Sequence, residues 1–142
     1  MKNVCLVIFA VTVMMFTASA QNLDAAKVPA AVKTSFAKLF PAASVQWGKE
    51  GAKYEAEFKV KGKPMSTIFD AKGTLEETET DIEKTELPSK MLAYLKAHYK
   101  DKNIQETTKI TKANGTVNYE AGVGGKDVIF DTAGNFLKEA KD

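Results

Sequence analysis

Few residues in this chain can do covalent or metal chemistry, and spacing ties none of them together. His98 is the sole histidine and Cys5 the sole cysteine. A general base needs a partner within hydrogen-bond reach, and no carboxylate is linked to His98 by spacing. Beside Leu95 on a helix, His98 reads as a partly exposed face residue. Ligation of a metal by Cys and His is excluded by count. Glu76, Glu77, Glu79, Asp81, Glu83 and Glu86 form an acidic run, but it lacks the spacing and the turn glycine of an EF-hand loop. Read as structure, the run is a solvated edge strand and linker whose charge guards against edge pairing. Read as function, it is an acidic rim for a basic partner. No enzyme activity, cofactor or metal is expected, which leaves binding by a surface.

That surface is not one for nucleic acid. All 20 basic residues are lysine, set against 18 Asp plus Glu. Arginine is the usual choice for bidentate phosphate and base-edge contacts, and the lysines are spread along the chain with no patch. Residues 1–20 read as a secretory signal peptide. Met1-Lys2-Asn3 starts positive, an apolar run follows from Val4 to about Phe16, and Ala18-Ser19-Ala20 offers small residues for a cut before Gln21. The run is short for a membrane span, which needs about 20 residues. Cys5 stands at its start, not at its end where a lipid-accepting cysteine would be. The expected mature chain, residues 21–142, is periplasmic or secreted, with no stable membrane insertion. It has no cysteine, so burial must stabilise it. Its length suits one domain, and two halves too small to be stable alone are expected to share a core.

Those halves are the elements that must position any surface, and they repeat. Tyr54-Glu55-Ala56 recurs as Tyr119-Glu120-Ala121, and Ile68-Phe69-Asp70 with Gly73 recurs as Ile129-Phe130-Asp131 with Gly134. Upstream, Val28-Pro29 with Val32, Phe36 and Phe40 matches Leu87-Pro88 with Met91, Leu95 and Tyr99. A repeat of about 60 residues is one supersecondary unit used twice, here over residues 28–80 and 87–140. Pro29 and Pro88 open helices whose apolar residues fall at helical spacing. Lys53 to Val60 alternates with period two, as a half-buried antiparallel strand does. A turn at Lys61-Gly62 pairs Phe58 with Met65, Ala56 with Thr67 and Tyr54 with Phe69 on the core face, and Glu55 with Ile68 on the other. A turn at Gly124-Gly125 pairs Ala121 with Val128, Tyr119 with Phe130 and Glu120 with Ile129. The second hairpin is shorter by two residues in each arm, and an even loss keeps every side chain on its own face. The fold class is α+β: a tandem repeat of a helix plus about four antiparallel strands, with the helices on one face of the sheet.

The face away from the helices holds the candidate site. Glu55, Glu57 and Glu120 lie there, with Ile68 and Ile129 as an apolar centre of a binding face or as residues covered by the other repeat. Trp47 packs under a helix or serves as a binding anchor, since Trp is enriched at hot spots. Asp131-Thr132-Ala133 resembles an O-glycosylation pattern of secreted bacterial proteins, with Thr132 exposed on a turn.

A Pro-led helix, Val45-Gln46-Trp47, Tyr54-Glu55-Ala56-Glu57-Phe58 and Phe69-Asp70-Ala71-Lys72-Gly73 together resemble the PepSY-like secreted proteins, which are described as similar to β-lactamase-inhibitor proteins. The resemblance spans nearly all of residues 21–142, and the second hairpin departs from it in being short and glycine-rich. It implies a non-enzymatic protein outside the cytoplasm with a protein partner in the envelope or outside the cell. Inhibition of a peptidase or a β-lactamase-type enzyme through an exposed sheet face is one form of that implication. A carrier of a small molecule or a cell-envelope ligand, held between the repeats, is the alternative. Mass spectrometry of the exported protein should find a mature chain that begins at Gln21; retention of residues 1–20 would instead indicate an uncleaved anchor.

Overall fold

The computed structural model describes residues 21–141. The expected signal peptide and Cys5 lie outside them. Strands β1 (Gln21–Asn22), β2 (Gln46–Glu50), β3 (Lys53–Val60), β4 (Lys63–Phe69) and β5 (Leu75–Asp81) are followed by β6 (Ile104–Lys112), β7 (Val117–Val123), β8 (Lys126–Asp131) and β9 (Phe136–Lys141). Helix α1 (Ala30–Leu39) lies between β1 and β2, and α2 (Ser89–His98) lies between β5 and β6. All nine strands join one antiparallel sheet, and their order in space is their order in the chain.

Each helix begins just after a proline. Pro29 and Pro88 are the N-caps, one position earlier than a first-turn placement. Only one stripe of each short helix is buried, Val32 and Phe36 on α1 and Met91 and Leu95 on α2. The hairpin registers are those that side-chain parity requires: Phe58 faces Met65, Ala56 faces Thr67, Tyr54 faces Phe69, and Ala121 faces Val128. Both hairpin turns have positive φ at two consecutive residues, Lys61-Gly62 and Gly124-Gly125, as a two-residue turn matched to strand twist demands.

Two expectations need correction. The chain builds two core clusters where one shared core was expected. Val28, Val32, Phe36, Trp47, Ala56, Phe58 and Phe69 form the first. Leu87, Met91, Leu95, Ala121, Val123, Val128 and Phe130 form the second. The strands between them, β5 and β6, face each other with threonines, lysines and acids, as in Thr78 opposite Thr111 and Thr80 opposite Lys109. Side chains so polar cannot knit the clusters into one. The acidic run is also no edge strand: β5 pairs with β4 on one side and β6 on the other, in the middle of the sheet. The outer strands are the two-residue β1 and β9.

The Phe-Asp-x-x-Gly sequence has a positional reason in each half. Phe69 and Phe130 are fully buried. The Asp70 carboxylate accepts from the backbone N–H of Lys72 and Thr74, and that of Asp131 from Ala133 and Asn135. For Asp70 these bonds, that from Thr74 first, hold the carboxyl below its usual range; for Asp131 the Asn135 side-chain amide, which also donates to it at 2.7 Å, does so first and the backbone bonds add to it. The glycines then lie against the helix starts at φ +83° and +79°. A Cβ on Gly73 would stand 2.6 Å from the Ala31 carbonyl oxygen, and one on Gly134 would stand 2.8 Å from the Met91 nitrogen. Gly73→Ala and Gly134→Ala should each cost roughly 2–4 kcal/mol, combining left-handed strain with overpacking. Gly62→Ala, where a Cβ meets open space, should cost only about 1–2 kcal/mol. Urea unfolding of the three variants checks this, and equal losses would refute the proposed contact.

Candidate functional site

Antiparallel register brings side chains from different strands into rows, and the rows on the uncovered face have a regular composition. One runs Glu55, Ile68, Glu77, Lys112 across β3 to β6. The next runs Glu57, Ser66, Glu79, Ile110, Asn118 across β3 to β7. A third runs Asp81, Thr108, Glu120, Ile129, Lys138 across β5 to β9. Carboxylates thus avoid standing directly opposite one another, which would be destabilising. Each isoleucine sits between polar side chains: Ile68 between Glu55 and Glu77, Ile110 between Glu79 and Asn118, and Ile129 between Glu120 and Lys138.

The rows line a continuous depression. A hollow of about 430 Å³ has Ile68, Ile110 and Ile129 among its walls, with Glu55, Glu79 and Glu120 beside them. It shares Glu55, Glu79 and Glu106 with a neighbouring hollow of about 720 Å³ that extends past Glu57, Ser66 and Asp81. Lys53 reaches Glu76 at 2.5 Å on the rim.

Burial of these carboxylates next to one another sets their acidity. Glu79 is pushed up to about 8, first by burial and then by the charge of Glu77 and Glu120, while its hydrogen bond from the Ser66 hydroxyl at 3.2 Å opposes the shift. Glu120 is pushed up to about 7 by burial and by Asp127, Glu106 and Glu77, against the pull of Lys138. Burial, then Glu57, raises Glu55; burial also raises Glu50 despite Lys53. Carboxyls kept neutral by burial and like charge are the ordinary outcome of such crowding. Among the described residues, no group of three or more His, Cys, Asp or Glu side chains is arranged to hold a metal ion.

The structure brings Glu55, Glu57, Ile68, Glu120 and Ile129 onto this one face. It does so with a correction: Ile68 is only 7% exposed and lines the hollow between its register partners Glu55 and Glu77. Ile129 is half-buried. Trp47 is not part of the surface. It lies on the helix-covered face opposite Ala56, 6% exposed, with its ring edge-on to Phe36 at 5.5 Å. His98 is also elsewhere, exposed on α2 and stacked on Tyr94 at 4.1 Å. Thr132 is exposed in the turn between β8 and β9. The sequence reading missed Ile110, and it gave Glu77 and Glu79 only as part of an acidic rim, not as neighbours of Ile68 on this face. The period-two spacing of Glu77, Glu79 and Asp81 was the available signal, obscured by reading the run as an edge.

Comparisons with known proteins agree on the architecture. The family model described as "Putative beta-lactamase-inhibitor-like, PepSY-like" matches residues 14–65 and 52–138. A solved structure from Bacteroides eggerthii, described as one of the "putative periplasmic proteins", is similar with a TM-score of 0.73 at 20% identity, covering 80% of this chain and 88% of its own. A DUF2874 family protein from Bacteroides uniformis gives 0.72 at 21% identity, with 80% and 88% covered. A BLIP-like protein from Bacteroides fragilis gives 0.64 at 26% identity, with 80% and 86% covered. No curated protein matches the chain. No helix among the described residues is long and apolar enough to cross a membrane. With matches in both halves that together run over most of its length, the chain belongs to the PepSY-like, beta-lactamase-inhibitor-like family.

Proposed function

We propose that this protein is an exported, non-enzymatic binding module that takes a basic protein partner on the uncovered face of its sheet, and that it inhibits a peptidase or β-lactamase-type enzyme in doing so. The observation that carries this reading is the pairing of an apolar floor, Ile68, Ile110 and Ile129, with acids from β3, β5 and β7 in one depression. A surface of that kind offers both desolvated contact and charge complementarity. Glu57 is exposed and Glu55 and Glu120 are half-buried, so they meet the partner first, with Ile129 behind them and Ile68 beneath. The similarity to a BLIP-like protein supports a protein partner. The two helix-and-strand halves, residues 28–80 and 87–140, are read as copies of one unit within a single domain. Their matching Asp-x-x-Gly contacts with the helix starts support this reading.

The test is capture and inhibition of purified β-lactamases and secreted peptidases by residues 21–142, beside the variant Glu55→Lys/Glu57→Lys. Wild type should bind a partner with an affinity that falls as salt rises, and the charge reversal should weaken it by about tenfold or more without unfolding the chain. Capture that the reversal leaves unchanged would refute the assignment. A ligand of small-molecule size is the second reading, favoured by the volume of the hollow at the junction of the halves; thermal shifts with glycans or amphiphiles, and none with proteins, would establish it instead.

We also propose Thr132, within Asp131-Thr132-Ala133, as an O-glycosylation site, a reading that its exposed turn position supports. Intact mass of protein from its native host should show a glycan that Thr132→Ala removes. An unmodified mass overturns the assignment.

A further inference from the structure

The most crowded carboxylates lie on either side of a single strand. Glu79 projects from β5 and Glu120 from β7, with β6 between them, and the pairing of β5 with β6 is what joins the two core clusters. Glu79 meets Ser66 and Ile68 on β4, with Glu55 and Glu57 beyond on β3. It has Glu77 and Asp81 along its own strand, and Glu106, Thr108, Ile110 and Lys112 on β6. Glu120 meets Glu106 and Thr108 on β6, Asp127 and Ile129 on β8, and Lys138 on β9, and feels the charge of Glu77 and Glu79 on β5. Acids outnumber lysines around both.

We propose that Glu79 and Glu120 form a pH-sensitive switch astride β6: protonated, they let the halves join closely, and ionised, they load like charge onto the junction, loosen the sheet and make the depression strongly anionic. The device is intrinsic to the chain and needs no partner to be seen.

The direction follows from proton linkage. Each of the two groups has a folded pKa raised above the ordinary glutamate value of 4.5, to about 8 for Glu79 and about 7 for Glu120. Between 4.5 and those values the folded state binds more protons than the unfolded state. Stability therefore falls as pH rises through that window and levels off above it. The lowered carboxyls, Asp70, Asp131, Glu86 and Glu139, act in the opposite sense and at the acid end, so the two effects are separable.

Thermal unfolding of residues 21–142 between pH 5 and 9 tests the switch, with Glu79→Gln/Glu120→Gln as the variant. Glutamine keeps the shape of a protonated glutamate and can still take the Ser66 hydrogen bond. The wild-type midpoint should fall from pH 5 to pH 8.5. The variant should flatten that fall, standing about 3 °C or more above wild type at pH 8.5 and close to it at pH 5. Carbon NMR of glutamate-labelled wild type should show two carboxyls titrating near pH 7–8, and this measurement decides the matter if the variant does not fold. An unchanged pH profile in a folded variant, or glutamates that all titrate below pH 5.5, would overturn the proposal.

Discussion

The relation of one half of this molecule to the other depends on the backbone ladder between β5 and β6. Each half has its own apolar cluster under its own helix, and neither cluster reaches into the other. What makes them one sheet is a strand pair whose paired side chains are threonine, lysine, glutamate and Asp81, with Ile110 the apolar exception. Such a pair contributes directional hydrogen bonds but little burial. Backbone bonds are modest in net energy and costly when left unmade away from water, so the ladder fixes alignment more than it supplies stability. The alignment in turn places the acids of one half beside those of the other.

The two faces of the sheet solve different problems. On the covered face, away from β5 and β6, alternate residues are large and apolar, and rings meet edge-on, as in Phe36 at 5.1 Å from Phe58 and Tyr94 at 5.4 Å from Phe130, or stacked, as in Tyr94 on Phe136. On the other face, the same strands carry carboxylates in offset rows. The strands under the helices, β3, β4, β7 and β8, therefore have one set of residues chosen for packing and another freed from it. Charge on the second set has no packing rationale, and stacking it around Glu79 works against the fold. A chain selected for stability alone would not place it there, and this cost is the physical ground of the proposal made for this face.

Much of the fold was legible because it is local. Period-two alternation at Lys53 to Val60, the turns at Lys61-Gly62 and Gly124-Gly125, and the Pro-led helices each announce themselves within a few residues. Parity then placed Glu55 and Glu120 opposite Ile68 and Ile129 correctly. The join between the halves was not legible. Nothing in Leu75 to Asp81 states whether its second edge meets water or another strand, and a run of glutamates is ordinarily solvated. Trp47 was ambiguous for a related reason: at a strand start, the face is not fixed until the register with Ala56 is known. Charge and aromatic character describe a residue, whereas burial is set by neighbours that are distant in the chain.

Because the strands lie in space in the order of the sequence, each makes its ladder bonds with the strands that immediately precede and follow it. The two long excursions between paired strands are those that carry α1 from β1 to β2 and α2 from β5 to β6. Short loops close at low entropic cost, and a topology of nearest neighbours favours rapid, local assembly. Each half can thus form its hairpins and seat its helix before the other exists, with the polar ladder closing last. The same arrangement means that the closing step specifies only that a β5 meets a β6, not that the two come from one chain. At high concentration two molecules can trade halves across the connector and rebuild every contact, so exchange between chains is the characteristic hazard of this architecture.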